Sequence, residues 1–246
     1  MIKIEDLHKS FGDNHVLKGI NLEVRDGETL VIIGRSGCGK SVLLKHIVGL
    51  LKPDKGRVVV DGIEVHRVSR REVFDLRRRF GMVFQGAALF DSLTVKENVA
   101  IGLREHLKLS EEEIDRIVKE KLELVGLRNV EHLKPAELSG GMKKRVGIAR
   151  ALAMDPEYIL YDEPTTGLDP IMADRINELI LSLKHRLHKT TIVVTHDMKS
   201  AFKVGDRIAM IYDGRIIFEG TPEEVEKSDN PYVRQFVEGL AEGPIQ

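Results

Sequence analysis

The chain has 246 residues, of which 38 are Lys or Arg and 39 are Asp or Glu, so its formal net charge is −1. This balance disfavours a dedicated nucleic-acid binder, and we expect no nucleic-acid partner. No apolar run approaches the roughly 20 residues of a membrane-spanning helix, the N-terminus lacks a signal-peptide pattern, and the single cysteine, Cys38, excludes an intrachain disulfide framework and favours a reducing compartment.

The first 65 residues are predicted to be mainly β structure up to a phosphate-loop motif, with a hairpin after it. The dipeptide Asp61-Gly62 is a strong hairpin signal between two short apolar runs. Strands are predicted at Ile2–Leu7, Val16–Val24, Thr29–Ile33, Val58–Val60 and Ile63–Val65. Three later helices are predicted to begin at capping boxes, formed by Ser69 with Glu72, Ser110 with Glu113 and Thr221 with Glu224.

Short apolar runs that alternate with helical patterns predict an α/β fold with a buried parallel sheet. These runs are Leu30–Ile33, Gly81–Phe84, Tyr158–Tyr161 and Thr191–Thr195, and a closing hairpin is predicted at Ile208–Tyr212 with Arg215–Glu219. Between Gln85 and Leu138 the pattern is helical only. We therefore expect a helical subdomain, at about residues 86–155, inserted between strands of the core.

The C-terminal segment has a pattern of its own. Val233, Phe236, Val237 and Leu240 fall at i, i+3, i+4 and i+7, which predicts one apolar face of a short helix. The residues after it, 241–246, contain Gly and Pro and are expected to be extended. Two interpretations stay open at this point: the helix packs on its own domain, or it contacts another chain.

A complete phosphate-binding loop follows the third predicted strand. Residues 34–41 match the pattern G-x-x-x-x-G-K-[ST] and precede an apolar helix predicted at Val42–Leu51. The glycines allow main-chain N–H groups to surround phosphate oxygens, while Lys40 reaches the β and γ phosphates and Ser41 offers a hydroxyl to Mg²⁺. Cys38 is interpreted as a small filler of the loop rather than a redox switch, since nothing marks its thiol as reactive. Nucleotide contacts are predicted for Gly34, Arg35, Ser36, Gly37, Cys38, Gly39, Lys40, Ser41 and Val42.

Polar residues also end three other apolar strands. Asp162 and Glu163 close one of them, and paired acids there suit a Mg²⁺ ligand and a group that polarises water. His196 ends another and would emerge at the edge of the sheet where α/β proteins bind ligands, in reach of a γ phosphate. Gln85 ends the strand at 81–84 and is a weaker candidate for sensing Mg²⁺ or the attacking water.

Residues 138–150 contain a second glycine-rich turn that opens a basic amphipathic helix. One helix N-terminus is enough to bind one group of phosphates, yet the chain has two glycine-rich helix N-termini about a hundred residues apart. The pattern therefore suggests two half-sites, each completed by a second copy of the chain.

Together these motifs resemble, in order along essentially the whole chain, the ATP-binding subunits of ABC transporters. The resemblance implies ATP and Mg²⁺ as cofactors, an α/β core with antiparallel β and helical subdomains over residues 1–228, and a head-to-tail dimer of two chains. It implies that Phe11 stacks on adenine, that Gln85 is the Q-loop glutamine, and that Ser139, Gly140 and Gly141 of the signature motif face the partner's γ phosphate. It further implies Glu163, His196, Lys40 and Gln85 as catalytic residues, Ser41, Gln85 and Asp162 as metal ligands, and Asp169 as the D-loop aspartate.

A narrower resemblance accounts for Met142, which stands where the signature motif commonly has Gln. The segments 84–99, 139–142, 167–174 and 238–245 are similar to Mla/Mce-type lipid-transport ATPases. That resemblance implies phospholipid movement between bacterial inner and outer membranes, from the cytoplasmic face of the inner membrane. It implies an integral permease, an Mce-domain lipid-binding protein and a STAS-domain protein as partners, with the permease meeting Leu89, Phe90 and Leu93 and residues 229–246 meeting the neighbouring subunit.

Four alternatives remain to be weighed against this interpretation. Another ABC importer or exporter with the same ATPase stays open, because only the permease would differ. An ABC ATPase that acts mechanically on a membrane protein, as in cell division, is disfavoured by Met142 and the C-terminal segment. ABC ATPases of DNA repair or translation need a long coiled-coil insertion or two cassettes, which the sequence lacks, and a GTPase is disfavoured because no Asn-Lys-x-Asp motif occurs.

Overall fold

The computed structural model describes residues 1–245 and divides into two compact units, residues 1–77 with 190–245 and residues 78–189. The fold is α/β, as predicted. The ten strands and nine α-helices of the described residues are β1 Ile2–Phe11, β2 Asn14–Val24, β3 Thr29–Ile33, α1 Lys40–Ile47, β4 Lys55–Val60, β5 Ile63–Glu64, α2 Arg70–Arg77, β6 Phe80–Val83, α3 Val95–His106, α4 Glu111–Leu124, α5 Gly140–Leu152, β7 Tyr158–Asp162, α6 Pro170–Leu187, β8 Thr190–Thr195, α7 Met198–Val204, β9 Arg207–Tyr212, β10 Arg215–Gly220, α8 Pro222–Glu226 and α9 Pro231–Glu238.

The first unit contains an antiparallel sheet of order β2-β1-β4-β5 and a second run of strands, β10-β9-β3-β8. Within that run, β3 pairs in parallel with both β8 and β9, and all five residues of β3 are buried. The predicted hairpin at Asp61-Gly62 is present, with Val60 opposite Ile63 and positive φ at both turn residues (47° and 81°). The apolar run Leu30–Ile33 of β3 thus forms a central strand, as expected for a strand covered on both faces.

The second unit contains the parallel pair β6 and β7 and the helices α3, α4, α5 and α6. Residues 84–157, all of which the structure describes, form helices and turns, including a 3₁₀ turn at Pro135–Glu137. The helical pattern predicted between the strands is therefore present. The compact unit is wider than the predicted subdomain at 86–155, because it also includes β6, β7 and α6.

Several predicted boundaries were wrong, and three of them concern the site and the C-terminal segment. Strand β6 ends at Val83, so Phe84 lies outside it and is exposed. Helix α1 begins at Lys40 and ends at Ile47 because Gly49 adopts a positive φ of 68° two residues later. Helix α9 ends at Glu238, where Gly239 in the left-handed conformation breaks it, so Leu240 lies beyond the helix that was predicted to include it.

The segment after α9 turns back instead of running extended. The Gln235 side chain accepts a hydrogen bond from the Ile245 N–H (2.6 Å) and donates to the Ile245 and Leu240 carbonyls (3.1 and 3.3 Å). Gln235 is itself buried, so its amide satisfies three main-chain groups at once. Residues 240–245 are thereby held against their own helix; Gln246, the last residue predicted to be extended, lies outside the described residues.

Candidate nucleotide-binding site

The loop between β3 and α1 has a main-chain path that only glycine permits at two positions. Gly34 has φ 152°, and a Cβ there would lie 2.5 Å from the Ile211 carbonyl oxygen. Gly39 has φ 105°, and a Cβ there would lie 2.8 Å from Leu17 Cδ2. Any other residue at these two positions would have a strained positive φ and a Cβ that clashes with its neighbours. Residues 34–41 therefore form a concave loop of main chain, called the cradle below.

Lys40 lies across this cradle. Its side chain is buried, and Nζ donates to the carbonyl oxygens of Gly34 (2.7 Å) and Arg35 (3.1 Å). Gly39 is the N-cap of α1 and provides no side-chain acceptor to the first turn of the helix. A cation and a helix N-terminus therefore converge on the same small concavity, which is the arrangement that binds phosphate.

The other predicted loop residues surround Lys40 in sequence and differ in exposure. Arg35, Ser36 and Gly37 are exposed, whereas Ser41 and Val42 are half-buried. Cys38 is half-buried as well, and its Sγ would lie 2.8 Å from a Cβ on Gly34. The thiol thus fills the base of the loop, which agrees with the small-filler interpretation.

His196 leaves the same edge of the first unit's sheet as the phosphate loop. Strands β3 and β8 are parallel and pair Ile33 with Thr195, so Gly34 and His196 each follow directly on paired residues. The Asp197 N–H donates to Thr195 Oγ1 (3.0 Å), and Asp197 in turn caps α7 by accepting from the Lys199 N–H (3.0 Å). This turn presents the imidazole of His196 at the surface.

Phe11, the predicted adenine-stacking residue, ends β1 in the same unit. It is paired with Asn14 across the hairpin and is exposed, with Lys9 Nζ 5.6 Å from its ring centroid. An exposed aromatic face beside a cation is available to a planar ligand.

The second unit presents its own polar strand ends. Strands β6 and β7 are parallel and pair Val83 with Tyr161, so Gln85 and the carboxylates Asp162 and Glu163 leave one edge of the pair. Both carboxylates are buried. Glu163 has a left-handed main chain (φ 49°), and its Oε2 accepts a hydrogen bond from the Thr166 hydroxyl (3.2 Å). A buried acid held at a strained turn is typical of a functional position.

Helix α5 begins at the predicted signature motif. Ser139 is its N-cap and accepts a hydrogen bond from the Met142 N–H (3.3 Å), and Ser139 and Gly140 are both exposed. Gly141 is buried, and a Cβ on it would lie 2.2 Å from Met172 Cε on α6. The first turn of α5 therefore combines an exposed N-terminus with a tight contact behind it.

Asp169, predicted to contact nucleotide, caps helix α6. Its Oδ1 accepts from the N–H groups of Ile171 and Met172, both at 3.0 Å. Ile171 beside it is 70% exposed, which is unusual for so large an apolar side chain. Asp169 thus fixes the start of a helix whose surface carries an uncovered isoleucine.

Two cations on α5 were missed by the sequence reasoning. Lys144 is buried and donates to the main-chain oxygens of Gln85 and Glu163, the latter at 3.4 Å. Desolvation lowers the pKa of Lys144, while the Glu163 and Asp162 carboxylates act in the opposite direction. Arg150 donates to the carbonyl oxygens of Ala88 (2.6 Å) and Ala87 (2.7 Å). The available signal was spacing, because Lys144 lies on the stripe of buried residues that includes Gly141 and Ile148.

The apolar segment predicted to meet a permease follows Gln85. Phe90 is 51% exposed, whereas Leu89 and Leu93 are half-buried. The buried Asn98 side chain holds this segment, accepting from the Phe90 N–H (2.8 Å) and donating to the Phe90 carbonyl (3.1 Å). Phe90 is therefore displayed on an ordered turn.

A family model described as ABC transporter matches residues 17–166. The chain therefore belongs to the ABC transporter family, and it is an ATP-binding ATPase subunit of that family. Among the described residues, no helix is both long and apolar enough to cross a membrane.

Three relatives place the chain within the family. The intermembrane phospholipid transport system ATP-binding protein MlaF of Haemophilus influenzae is 43% identical over 246 residues, which cover 100% of this chain and 93% of that protein. The probable ribonucleotide transport ATP-binding protein mkl of Mycobacterium leprae is 43% identical over 244 residues, covering 99% of this chain and 70% of that protein. The ATP-binding cassette MJ0796, in a dimeric post-hydrolysis structure with ADP and Pi, has a TM-score of 0.83 and 37% identity, covering 90% of this chain and 99% of that one.

Proposed function

We propose that this ATPase works as a head-to-tail dimer with two composite ATP sites and powers phospholipid transport between bacterial membranes. The observation that carries the ATP half of this proposal is the glycine cradle at Gly34–Ser41 with Lys40 across it. The exposed N-terminus of α5 at Ser139 supports the composite site. The dimer of the related cassette MJ0796 lends it further support.

Each predicted residue receives a role in this proposal. The loop residues 34–42 hold the phosphates, with Lys40 neutralising charge on the β and γ groups, and Phe11 stacks on the adenine. Ser139, Gly140 and Gly141 close over the partner's nucleotide, with Asp169 beside them. Oxygen donors suit Mg²⁺, and Ser41, Gln85 and Asp162 would hold it; when bound, the ion neutralises charge on the phosphates.

Glu163 polarises the attacking water, and His196 hydrogen-bonds the γ phosphate. Burial of the Glu163 carboxylate and its hydrogen bond from Thr166 give it one orientation, which positioning of a water requires. Little covalent chemistry is needed from the protein in phosphoryl transfer, so position and charge account for most of the catalysis.

The test of this site is Glu163→Gln. The amide keeps the shape of the side chain but polarises water poorly, so turnover should fall by about 10²–10⁴-fold while ATP binding persists. The variant should also elute as an ATP-dependent dimer in size-exclusion chromatography, because the closed state is not resolved by hydrolysis. A Glu163→Gln protein that hydrolyses ATP normally would remove Glu163 from this role.

The phospholipid substrate is supported by the name of the MlaF relative and by the four matching segments, including Met142. The name of the mkl relative specifies ribonucleotide transport, and it favours a second candidate, an ABC transporter of another substrate with the same ATPase. The partners proposed for the first candidate are a permease that meets Phe90, an Mce-domain protein and a STAS-domain protein. The chain would then lie peripherally on the cytoplasmic face of the inner membrane, with residues 229–246 against the neighbouring subunit.

The experiment that decides between the two candidates is purification of this chain from its native membranes, followed by protein and lipid mass spectrometry. Co-purification with a permease, an Mce-domain protein and phospholipid supports the lipid proposal. Co-purification with a different permease and without enriched phospholipid would support the ATPase mechanism but contradict the phospholipid substrate.

A further inference from the structure

The loop after β6 and the turn after β7 are both bound to helix α5 through one buried side chain. Lys144 is 6% exposed, and its Nζ donates to the main-chain carbonyls of Gln85 and Glu163. Gln85 is a proposed Mg²⁺ ligand, and Glu163 is the proposed water-polarising acid. An ammonium has three donors and no acceptor, so it can bridge two carbonyls that lie on different segments.

The segments that Lys144 joins have unusual main-chain conformations. Glu163 has φ 49°, and Ala87 and Ala88 have φ 61° and 47°. Left-handed conformations of this kind persist only where the surroundings enforce them. Here α5 provides the enforcement, because Arg150 holds the carbonyls of Ala87 and Ala88 while Lys144 holds those of Gln85 and Glu163.

We propose that Lys144 is a positioning residue for ATP hydrolysis, whose buried ammonium fixes the main chain of Gln85 and Glu163 to the helix that carries the signature motif. This inference rests on the proposed roles of Glu163 and of the α5 N-terminus. A change in the position of α5, produced when its first turn meets the partner's nucleotide, would reach both residues through a single side chain. Hydrolysis would then be coupled to closure of the dimer without direct contact between Lys144 and the nucleotide.

The chemistry explains why a cation is needed at this position. A neutral side chain of similar length, such as methionine, would fill the space but remove the ammonium donor from the carbonyls of Gln85 and Glu163, of which the second also accepts from the Thr166 N–H (3.3 Å). The main chain of Glu163 would then be less firmly fixed to α5 and could shift together with its carboxylate, although the β7 strand and the nucleotide loop would remain. A displacement of about 1 Å at a catalytic group lowers turnover by about 100-fold.

The experiment compares Lys144→Met, Lys144→Arg and the control Lys143→Met in the full chain, with ATP turnover, affinity for a nonhydrolysable ATP analogue and thermal unfolding measured for each. Lys143 is half-exposed and precedes Lys144 on the same helix, so its replacement removes the same charge from α5. We expect kcat of Lys144→Met to fall by about 100-fold with analogue affinity within about threefold of wild type. Lys144→Arg should recover most of the rate, and Lys143→Met should keep it.

A double-mutant cycle with Glu163→Gln separates positioning from a purely structural role. If Lys144 acts through Glu163, the double variant Lys144→Met/Glu163→Gln has the residual rate of Glu163→Gln alone. Three outcomes would each overturn the positioning role. In the first, the double variant loses kcat by the product of the two single-variant factors; in the second, Lys144→Met loses affinity for the ATP analogue together with kcat; in the third, Lys144→Arg does not restore kcat. If Lys144→Met turns over ATP normally while Glu163→Gln is inactive, the positioning role of Lys144 is wrong and the proposed function stands. If Glu163→Gln turns over ATP normally, the proposed function is wrong as well.

Discussion

Helices α1 and α5 both begin with glycine-rich sequence, but their N-termini are built in opposite ways. The first turn of α1 is enclosed by its own loop, with Gly39 as an N-cap that has no side chain and Lys40 buried across the cradle. The first turn of α5 is exposed, and its own serine hydroxyl, Ser139 Oγ, accepts from the Met142 N–H. Neither first turn contains an acidic residue, whereas α4 begins with three glutamates.

The difference predicts which phosphate contact is made within one chain. The cradle and its buried lysine come from a single chain, so we expect α1 to bind phosphate in the isolated chain. An exposed and self-capped N-terminus gains an anion only when another surface supplies it. The two helices thus correspond to the cis and trans halves of the proposed composite site.

The largest expected effect comes from disabling each half separately. Lys40→Met removes the cation of the cradle, so both ATP binding and hydrolysis should be lost. Ser139→Arg places a bulky side chain at the exposed N-terminus of α5, so hydrolysis should be lost while the chain still binds ATP. Filter binding of ATP and phosphate-release assays distinguish these outcomes.

Mixing the two variants sharpens this comparison. A heterodimer of Lys40→Met and Ser139→Arg chains has one site with both halves intact, so activity should reappear on mixing although neither variant is active alone. The control is each variant mixed with itself at the same total concentration. Hydrolysis by Ser139→Arg alone at the wild-type rate would contradict the trans role of α5.

A smaller effect is expected from adding one methyl group to each helix start. Gly39→Ala forces an alanine into φ 105° against Leu17, so the protein should lose roughly 1–3 kcal/mol of stability. Gly140→Ala lies in ordinary helical geometry, with its Cβ 3.4 Å from Leu168 Cδ2, so the fold should tolerate it or gain up to about 1 kcal/mol. Urea unfolding measures both changes, and equal destabilisation by the two substitutions would show that the two starts are not built differently.

The smallest expected effect concerns the buried face of α1. His46 on this helix is fully buried and donates from Nδ1 to the Val42 carbonyl (2.8 Å), and its ring lies 6.2 Å from that of His66. Burial lowers the pKa of both imidazoles, that of His66 to about 4. Between about pH 6.5 and pH 4 these imidazoles are therefore protonated in the unfolded chain but neutral in the folded chain. The free energy of unfolding should fall as the pH decreases through this range.

His66→Gln should flatten this dependence by at most about 1.4 kcal/mol per pH unit, the limit for one proton. The measurement is the free energy of unfolding at pH 7 and pH 5 for wild type, His66→Gln and the control His132→Gln, whose side chain is exposed. An unchanged pH slope in His66→Gln would locate the acid sensitivity elsewhere.

The sequence predicted the local structures because each one is set by short-range chemistry. The phosphate loop, the Asp61-Gly62 turn and the capping box at Ser110 depend on residues within a few positions of one another, and all three are present. The α/β class followed for the same reason, since buried strands and amphipathic helices have different periods.

What could not be predicted depends on distant partners. The sequence marks α5 as a basic helix, and spacing puts Lys144 on its buried stripe, but nothing local shows which main-chain carbonyls Lys144 and Arg150 reach. The same holds for Gln235, whose three main-chain contacts fold the C-terminal segment back. Buried polar side chains of this kind become visible only when the main chain that they satisfy has been placed.

At Glu163 the residue that the proposed activity needs is not the residue that its left-handed main-chain conformation favours. An L-residue with a side chain is disfavoured at φ 49°, whereas glycine adopts it without strain. Glu163→Gly would therefore relieve main-chain strain in the very substitution that removes the proposed water-polarising carboxylate. In a population released from selection for ATP turnover, this position is one where an inactive chain could gain stability, and glycine there would be a mark of lost activity.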